Sequence, residues 1–162
     1  MKTIIIYSST YGYAKDCASK LSKQLNGEVL LVNVTTDTIP QIDEFNNVII
    51  GGSIYMGQIS KKLKAYCNTN MELLKNKRVG LYLCCCLPED LEKNINNAFP
   101  EELLKIVLSI ESFGGELRTE KMNFAHKMIT GLMKKAAAKE GKSEPIQMPD
   151  NIKKLAEIIN KQ

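Results

Sequence analysis

Only one histidine, His126, occurs in the 162-residue chain, and no apolar stretch approaches the ~20 residues that a bilayer-spanning helix needs. A histidine dyad or a histidine-based zinc site therefore has little support. A single lysine, Lys2, precedes the first apolar run, which is too short for the core of a signal peptide. These absences point to a cytoplasmic protein. The five cysteines suit that setting: Cys17 and Cys67 fall in helical patterns, while Cys84, Cys85 and Cys86 continue an apolar strand. Neighbours on a strand face opposite ways, so those three do not easily share one ion, and no metal site is expected. Repeats, low-complexity tracts and convincing linkers are also missing. Residues 1–162 thus read as one domain, and 44% hydrophobic with 25% charged residues is enough for one sizeable core.

Against these absences stands Ile4-Ile5-Ile6-Tyr7-Ser8-Ser9-Thr10-Tyr11-Gly12-Tyr13, an apolar run that breaks into a hydroxyl-rich turn. The run is short and β-branched, as in a parallel strand buried on both faces. A helical pattern follows, so the turn would sit where unpaired amides and the positive end of the helix dipole favour an anion. Ser8, Ser9 and Thr10 offer three hydroxyls there, and Gly12 lets the backbone approach a ligand. The other reading of the segment is an ordinary capped helix start.

Strand and helix patterns alternate along the chain, which predicts an α/β fold with a parallel sheet. Strand one is expected over Lys2 to Ser8, and helix one carries Ala14, Cys17, Leu21 and Leu25 on one face up to the Asn26-Gly27 stop. Strand two is Glu28 to Val34, strand three centres on Val48-Ile49-Ile50, and strand four runs from Arg78 to about Cys85. A helix is predicted within Ser60 to Lys75 and another from about Pro100 to Glu111. Strand five is then entered through Phe113 to Arg118, Glu144 to Met148 returns the chain to the sheet edge, and a last helix covers Asp150 to Asn160. In such sheets ligands gather beyond the C-terminal strand ends. Three ends qualify: Ser8 to Tyr13, Ser53 to Gln58 and Cys84 to Pro88. A nucleotide P-loop is excluded because Gly12 is followed by Tyr13 and Ala14 rather than Lys and Ser or Thr. The glycine-rich dinucleotide fingerprint and the clustered acids of a phosphoacceptor receiver are missing as well.

Three pieces in order carry a resemblance: Ser8-Ser9-Thr10-Tyr11-Gly12, then Val48 to Gly57, then Phe113-Gly114-Gly115-Glu116-Leu117 with the Lys/Met-rich helix after it. The chain resembles the flavodoxin superfamily over nearly its whole length, and within it the branch of menaquinone-dependent protoporphyrinogen oxidases and flavodoxin-domain relatives. The resemblance implies a doubly wound five-stranded parallel sheet in the order 2-1-3-4-5, with an insertion of about Arg118 to Ser143 near strand five. It implies FMN as cofactor. Ser8, Ser9, Thr10, Tyr11, Gly12, Tyr13 and Ala14 would then form the phosphate turn. Ser53, Ile54, Tyr55, Met56 and Gly57 would lie against the ring, and Cys84, Cys85, Cys86 and Leu87 would flank it. Ala14 stands where relatives usually carry Thr or Ser, a loss of about one hydrogen bond, on the order of 1 kcal/mol. The activity implied is an oxidoreductase taking electrons from an apolar reduced substrate to a quinone. Alternatives are an electron carrier without its own substrate, docking on a redox partner protein, and an FMN-linked quinone reductase. No catalytic acid or base is named, because no histidine or paired carboxylate is evident at the ring-facing loops.

The formal charge is +4, and it is unevenly placed: six lysines but one acid, Glu140, lie between Lys121 and Lys142. Phe124, Met128, Ile129, Leu132 and Met133 recur there at helical spacing, giving one apolar and one basic face. One reading packs this helix on its own domain with solvated lysines. The other has segment 121–142 meet the inner face of the membrane, an apolar substrate or an anionic partner. No nucleic-acid partner is expected.

Overall fold

The computed structural model describes residues 1–85 and 87–161. Strands β1 (Lys2–Ser8), β2 (Glu28–Asn33), β3 (Asn47–Ser53), β4 (Arg78–Cys84) and β5 (Ser109–Ser112) pair in parallel in the order β2-β1-β3-β4-β5. The order that the resemblance implies is borne out. Register sets Ile5 beside Ile49, and Ile50 beside both Ile6 and Leu81, so the centre of the sheet is a block of β-branched and leucine side chains. Such strands are covered on both faces and therefore read as continuous apolar runs.

Alternate residues of each strand face opposite layers. Ile4, Ile6, Val48, Ile50 and Leu81 pack under α2 (Lys61–Thr69), α3 (Met71–Leu74), α4 (Leu91–Ala98) and α5 (Glu101–Leu104), which contribute Leu63, Cys67, Leu74, Ala98 and Leu103. Ile5, Ile49 and Tyr82 pack under α1 (Tyr13–Ser22) and α7 (Pro149–Asn160), which contribute Ala14, Cys17, Leu21, Leu155 and Ile159. The helix expected within Ser60 to Lys75 is present as α2 and α3, which meet at Asn70.

Strand five departs from the sequence reading. The helix predicted over Pro100 to Glu111 stops at Leu104 as α5, and the strand is Ser109–Ser112, ahead of Phe113. Pairing decides this, because Gly80 to Leu83 of β4 align with Ser109 to Ser112 and use their backbone groups. Glu111, buried in this short strand, is satisfied by Lys154 Nζ at 2.9 Å and by Ser109 Oγ, which donates to it at 2.6 Å. Phe113 instead fills the core, stacked on Tyr82 with ring centroids 4.6 Å apart. The return to the sheet edge is observed as an antiparallel bridge between Gly114 and Gln147. Between β5 and α7 the segment 118–143 carries α6 (Phe124–Lys139), with Asn123 Oδ1 accepting from the His126 amide at 2.8 Å as its N-cap.

Candidate functional site

The loops after β1, β3 and β4 converge at one end of the sheet, and α6 lies across them. In the first loop Gly12 has φ of 94° and caps α1 without a side-chain hydrogen bond, so the first amides of α1 keep unused donors. Ser9 Oγ accepts the Gly12 amide at 3.1 Å, which fixes the turn and leaves the Ser9 hydroxyl able to donate. The three hydroxyls expected at the turn are not equivalent. Ser8 is buried with its Oγ against Gly52, while Thr10 is exposed beside the cavity. Tyr13 Oη donates to the Phe113 carbonyl at 2.8 Å, tying α1 to the end of β5, and burial pushes its phenol well above the ordinary range. The Ala14 side chain is in the core, so only its backbone is available to a ligand.

In the second loop Tyr55 and Gln58 exchange two backbone bonds of 2.9 and 3.0 Å around Met56 and Gly57, whose φ values are 50° and 72°. Two positive φ angles in a two-residue reversal make a type I′ turn. A glycine supplies one of them cheaply, whereas Met56 holds a left-handed conformation that costs about 1 kcal/mol. Gly57 faces open space, so its peptide has room to turn. In the third loop Cys85 is turned inward, donating to the Leu87 carbonyl at 3.3 Å and accepting from Asn94 Nδ2 at 3.0 Å. Cys84 hydrogen-bonds Cys17 and so lowers that thiol's pKa, against the opposing effect of burial. Cys86 lies outside the described residues.

The single histidine belongs to this site, which overturns the expectation that no histidine reaches the ring-facing loops. His126 Nδ1 is hydrogen-bonded to Tyr11 Oη, and its ring packs on Tyr55 with centroids 4.9 Å apart and planes tilted by 41°. Tyr11 in turn stands edge-on to Tyr55 at 6.2 Å. Tyr55 Oη is buried and has no hydrogen-bond partner among the described residues. Such an atom costs free energy until an acceptor or donor reaches it. The other end of the segment is tied down as well. The Ser143 amide donates to Glu89 at 3.0 Å, the Ser143 hydroxyl together with backbone amides lowers the Glu89 pKa, and Lys142 sits 3.5 Å from Asp90.

Between loops and helix lies a cavity of about 700 Å³. This is within the ~300–1,000 Å³ of small-molecule and cofactor sites. Of the predicted residues, Thr10, Tyr11, Tyr13, Ser53, Ile54, Tyr55, Met56, Cys84 and Leu87 line it. The 118–143 segment and its flanks add wall residues that the sequence reading did not assign, among them Leu117, Met122, Thr130, Met133, Lys134 and Lys142. Two further cations border the first loop: Arg118 and Lys121 lie over Gly12. Chain order gives no sign of this, since more than a hundred residues separate them from the turn.

A family model described as a flavodoxin domain matches residues 4–144. The chain belongs to that family. Comparison with curated proteins finds no match. Among solved structures, a Streptococcus pneumoniae TIGR4 flavodoxin is similar with a TM-score of 0.57 at 11% identity, over 98% of this chain and 97% of that one. A flavodiiron protein of Giardia intestinalis is similar with a TM-score of 0.50 at 15% identity, over 85% of this chain and 36% of that one. For the rubredoxin oxygen:oxidoreductase of Desulfovibrio gigas the TM-score is 0.47 at 15% identity, over 86% of this chain and 35% of that one. The flavodoxin-domain chain thus spans about a third of the length of those two larger proteins. The likenesses with TM-scores of 0.57 and 0.50 concern the fold alone. The family rests on the match over residues 4–144, which reaches no finer branch.

Proposed function

We propose that the chain is an FMN-dependent oxidoreductase that takes electrons from an apolar reduced substrate and passes them to a quinone. Its resemblance to menaquinone-dependent protoporphyrinogen oxidases suggests the substrate. The observation that carries this reading is the roof: α6 overhangs a half-open cavity of about 700 Å³ over the strand ends, with apolar Leu87, Leu117, Met122 and Met133 and basic Lys134, Lys135 and Lys142 on its walls. A carrier would need only the part of this space that the flavin fills, whereas a substrate with an apolar body and anionic groups would use the walls that α6 and its flanks add.

The residues present suit FMN. Ser9 and Thr10 with the amides of Tyr13 and Ala14 would hold its phosphate at the uncapped start of α1. Tyr55, Met56, Gly57 and Leu87 would lie against the ring, and the buried, unpartnered Tyr55 Oη would gain a polar neighbour. When bound, FMN supplies a ring that accepts a hydride or its equivalent. The chain's own contribution is to orient both molecules, to keep water out beneath α6 and to set a hydrogen-bonded Tyr11–His126 pair at the edge of the site.

The outer face of α6 supports the quinone and membrane parts of the proposal. No helix among the described residues is long and apolar enough to cross a membrane. Yet Phe124, Met128 and Leu132, four residues apart on one face, are 80%, 58% and 63% exposed. They are not packed on the chain's own core, as one reading of the sequence had it. With Lys127, Lys134 and Lys135 nearby, this face suits an anionic bilayer surface, from which a quinone would reach the cavity.

The test is anaerobic porphyrin fluorescence from protoporphyrinogen IX and FMN-saturated protein, with and without a menaquinone analogue, after subtraction of free-FMN controls. Quinone-dependent multiple turnover supports the proposal. With FMN occupancy verified by absorbance, the absence of protein-dependent signal removes this substrate. It then favours the second reading, a carrier that presents the ring edge to a redox partner protein near Met56, which is 56% exposed.

A further inference from the structure

Arg118 spends only part of its guanidinium on the carboxylates around it. Nε and Nη2 donate to Glu116 at 3.0 and 2.8 Å, and Nη2 also meets Asp16 at 2.7 Å. Nη1 makes no hydrogen bond among the described residues, and it is aimed at the first turn. A Cβ added at Gly12 would lie 3.1 Å from Nη1 and 3.7 Å from Lys121 Nζ. Glycine at position 12 is required by its φ of 94°, and the tips of the two cations lie close above it. The Arg118 side chain is only 14% exposed and lies over the Tyr13 ring, with Cζ 5.7 Å from the centroid. Lys121 makes no ion pair among the described residues.

Asp16, in the first turn of α1, would by itself repel an anion from the turn. Arg118 offsets it through Nη2, sharing its one charge between Asp16 and Glu116, and keeps Nη1 as a donor facing Gly12. Three sets of unused donors then border one small space: the leading amides of α1, Arg118 Nη1 and the Lys121 ammonium. Unused cationic donors around one backbone turn call for a multivalent anionic acceptor, and a phosphate monoester has the charge and the three oxygens to meet them.

We infer that Arg118 and Lys121 form a second, cationic wall of the phosphate site, so that the protein selects a phosphorylated flavin over an unphosphorylated one. The inference rests on the FMN reading above and assigns it two residues outside the hydroxyl-rich turn. It also gives the phosphate a part in closing the site. Arg118 and Lys121 immediately precede α6, so a phosphate shared between them and α1 fastens the roof to the floor.

The experiment compares FMN and riboflavin dissociation constants, measured by quenching of flavin fluorescence, in the wild-type chain and in Arg118→Gln, Arg118→Lys and Lys121→Gln variants. Each variant is checked by circular dichroism and measured at low and at raised salt. A charge-assisted hydrogen bond lost from the phosphate predicts an FMN affinity about ten- to a hundredfold weaker for Arg118→Gln. Riboflavin affinity should be unchanged, Arg118→Lys should restore part of the loss, and Lys121→Gln should show a smaller loss that shrinks with salt. FMN, and not riboflavin, should slow tryptic cleavage within α6 of the wild type. Equal loss of both flavins in Arg118→Gln would make Arg118 a structural ion-pair partner and overturn the inference. An unchanged FMN-to-riboflavin ratio in both the Arg118→Gln and Lys121→Gln variants would overturn it too. A wild-type chain that binds neither flavin would overturn the cofactor reading itself, an outcome seen before any variant is made.

Discussion

The floor of the cavity hangs from strands in which Ile4, Ile5, Ile6, Ile49 and Ile50 are fully buried, whereas its roof, α6, buries only Thr130 along sixteen residues. The floor loops are continuations of paired strands, so their positions are fixed by a ladder of backbone bonds and by two packed helix layers. The roof is held by a few polar and aromatic contacts at its ends: Tyr11 and Tyr55 with His126 on one side, Glu89 and Asp90 with Ser143 and Lys142 on the other. Hydrophobic burial stabilises by roughly 25 cal/mol per Å², while exposed ion pairs contribute about 0–1 kcal/mol. Opening the roof therefore costs far less than disturbing the floor. A site that must admit a large apolar molecule and then exclude water has use for such a difference.

The contrast breaks most sharply in the sheet. A Cβ at Gly51 would lie 2.3 Å from Cδ1 of the Tyr82 ring. That ring cannot yield, because it is fully buried, stacked on Phe113 and donates from Oη to the Ala14 carbonyl at 3.2 Å. Gly51→Ala should destabilise the chain by about 3 kcal/mol, seen as a lower urea midpoint, and should weaken flavin binding because Ala14 and Phe113 move with Tyr82. Loss of less than about 0.5 kcal/mol would show that the floor is as yielding as the roof.

An intermediate effect is expected where roof meets floor. His126→Phe keeps an aromatic ring against Tyr55 but removes the bond to Tyr11 Oη. Global stability should change by less than about 0.5 kcal/mol. Proteolytic cleavage within α6 should rise about fivefold, the equivalent of one net hydrogen bond of ~1 kcal/mol. An equal change in global stability and in local cleavage would mean that roof and floor unfold as one unit.

The same contrast explains what was legible in the sequence. The strands of the sheet centre and the first turn follow from local patterns, a β-branched run ending in Ser8-Ser9-Thr10 and a helix stop at Asn26-Gly27, because each element's burial is written along its own residues. The order of the strands comes with the family resemblance. Strand β5 was misplaced since Ser-Ile-Glu-Ser is short and half polar, and the leucine-rich residues before it continue a helical pattern. Only the backbone groups of β4 decide where that strand begins. The role of His126 was missed for a different reason. Its N-cap and helix are readable, but its partner Tyr11 lies 115 residues away, and nothing in local spacing encodes that meeting. Arg118 and Lys121 were hidden in the same way. The hydroxyls of the first turn were over-read: type and position are visible in sequence, yet whether Ser8 faces a ligand or Gly52 depends on the neighbouring strand.

The smallest effect on stability should come from the outer face of α6, and it tests whether that exposure has a use. Phe124 and Leu132 stand eight residues apart on one face and are 80% and 63% exposed, so replacing both with serine removes little buried area and should change stability by less than about 0.5 kcal/mol. In water alone, the substitution even relieves an unfavourable exposure of apolar surface. If the face meets a bilayer, the same change should weaken binding to vesicles containing phosphatidylglycerol by an order of magnitude or more. Each large side chain transferred from water contributes about 1.5–3 kcal/mol. Neutralising Lys127, Lys134 and Lys135 should weaken binding by a comparable amount in low salt and by much less in high salt, because the lysine contribution is screened and the apolar one is not. Vesicle binding that is absent in the wild type, or present and indifferent to both sets of changes, would leave this face without a membrane partner and the roof as a cover for the cavity alone.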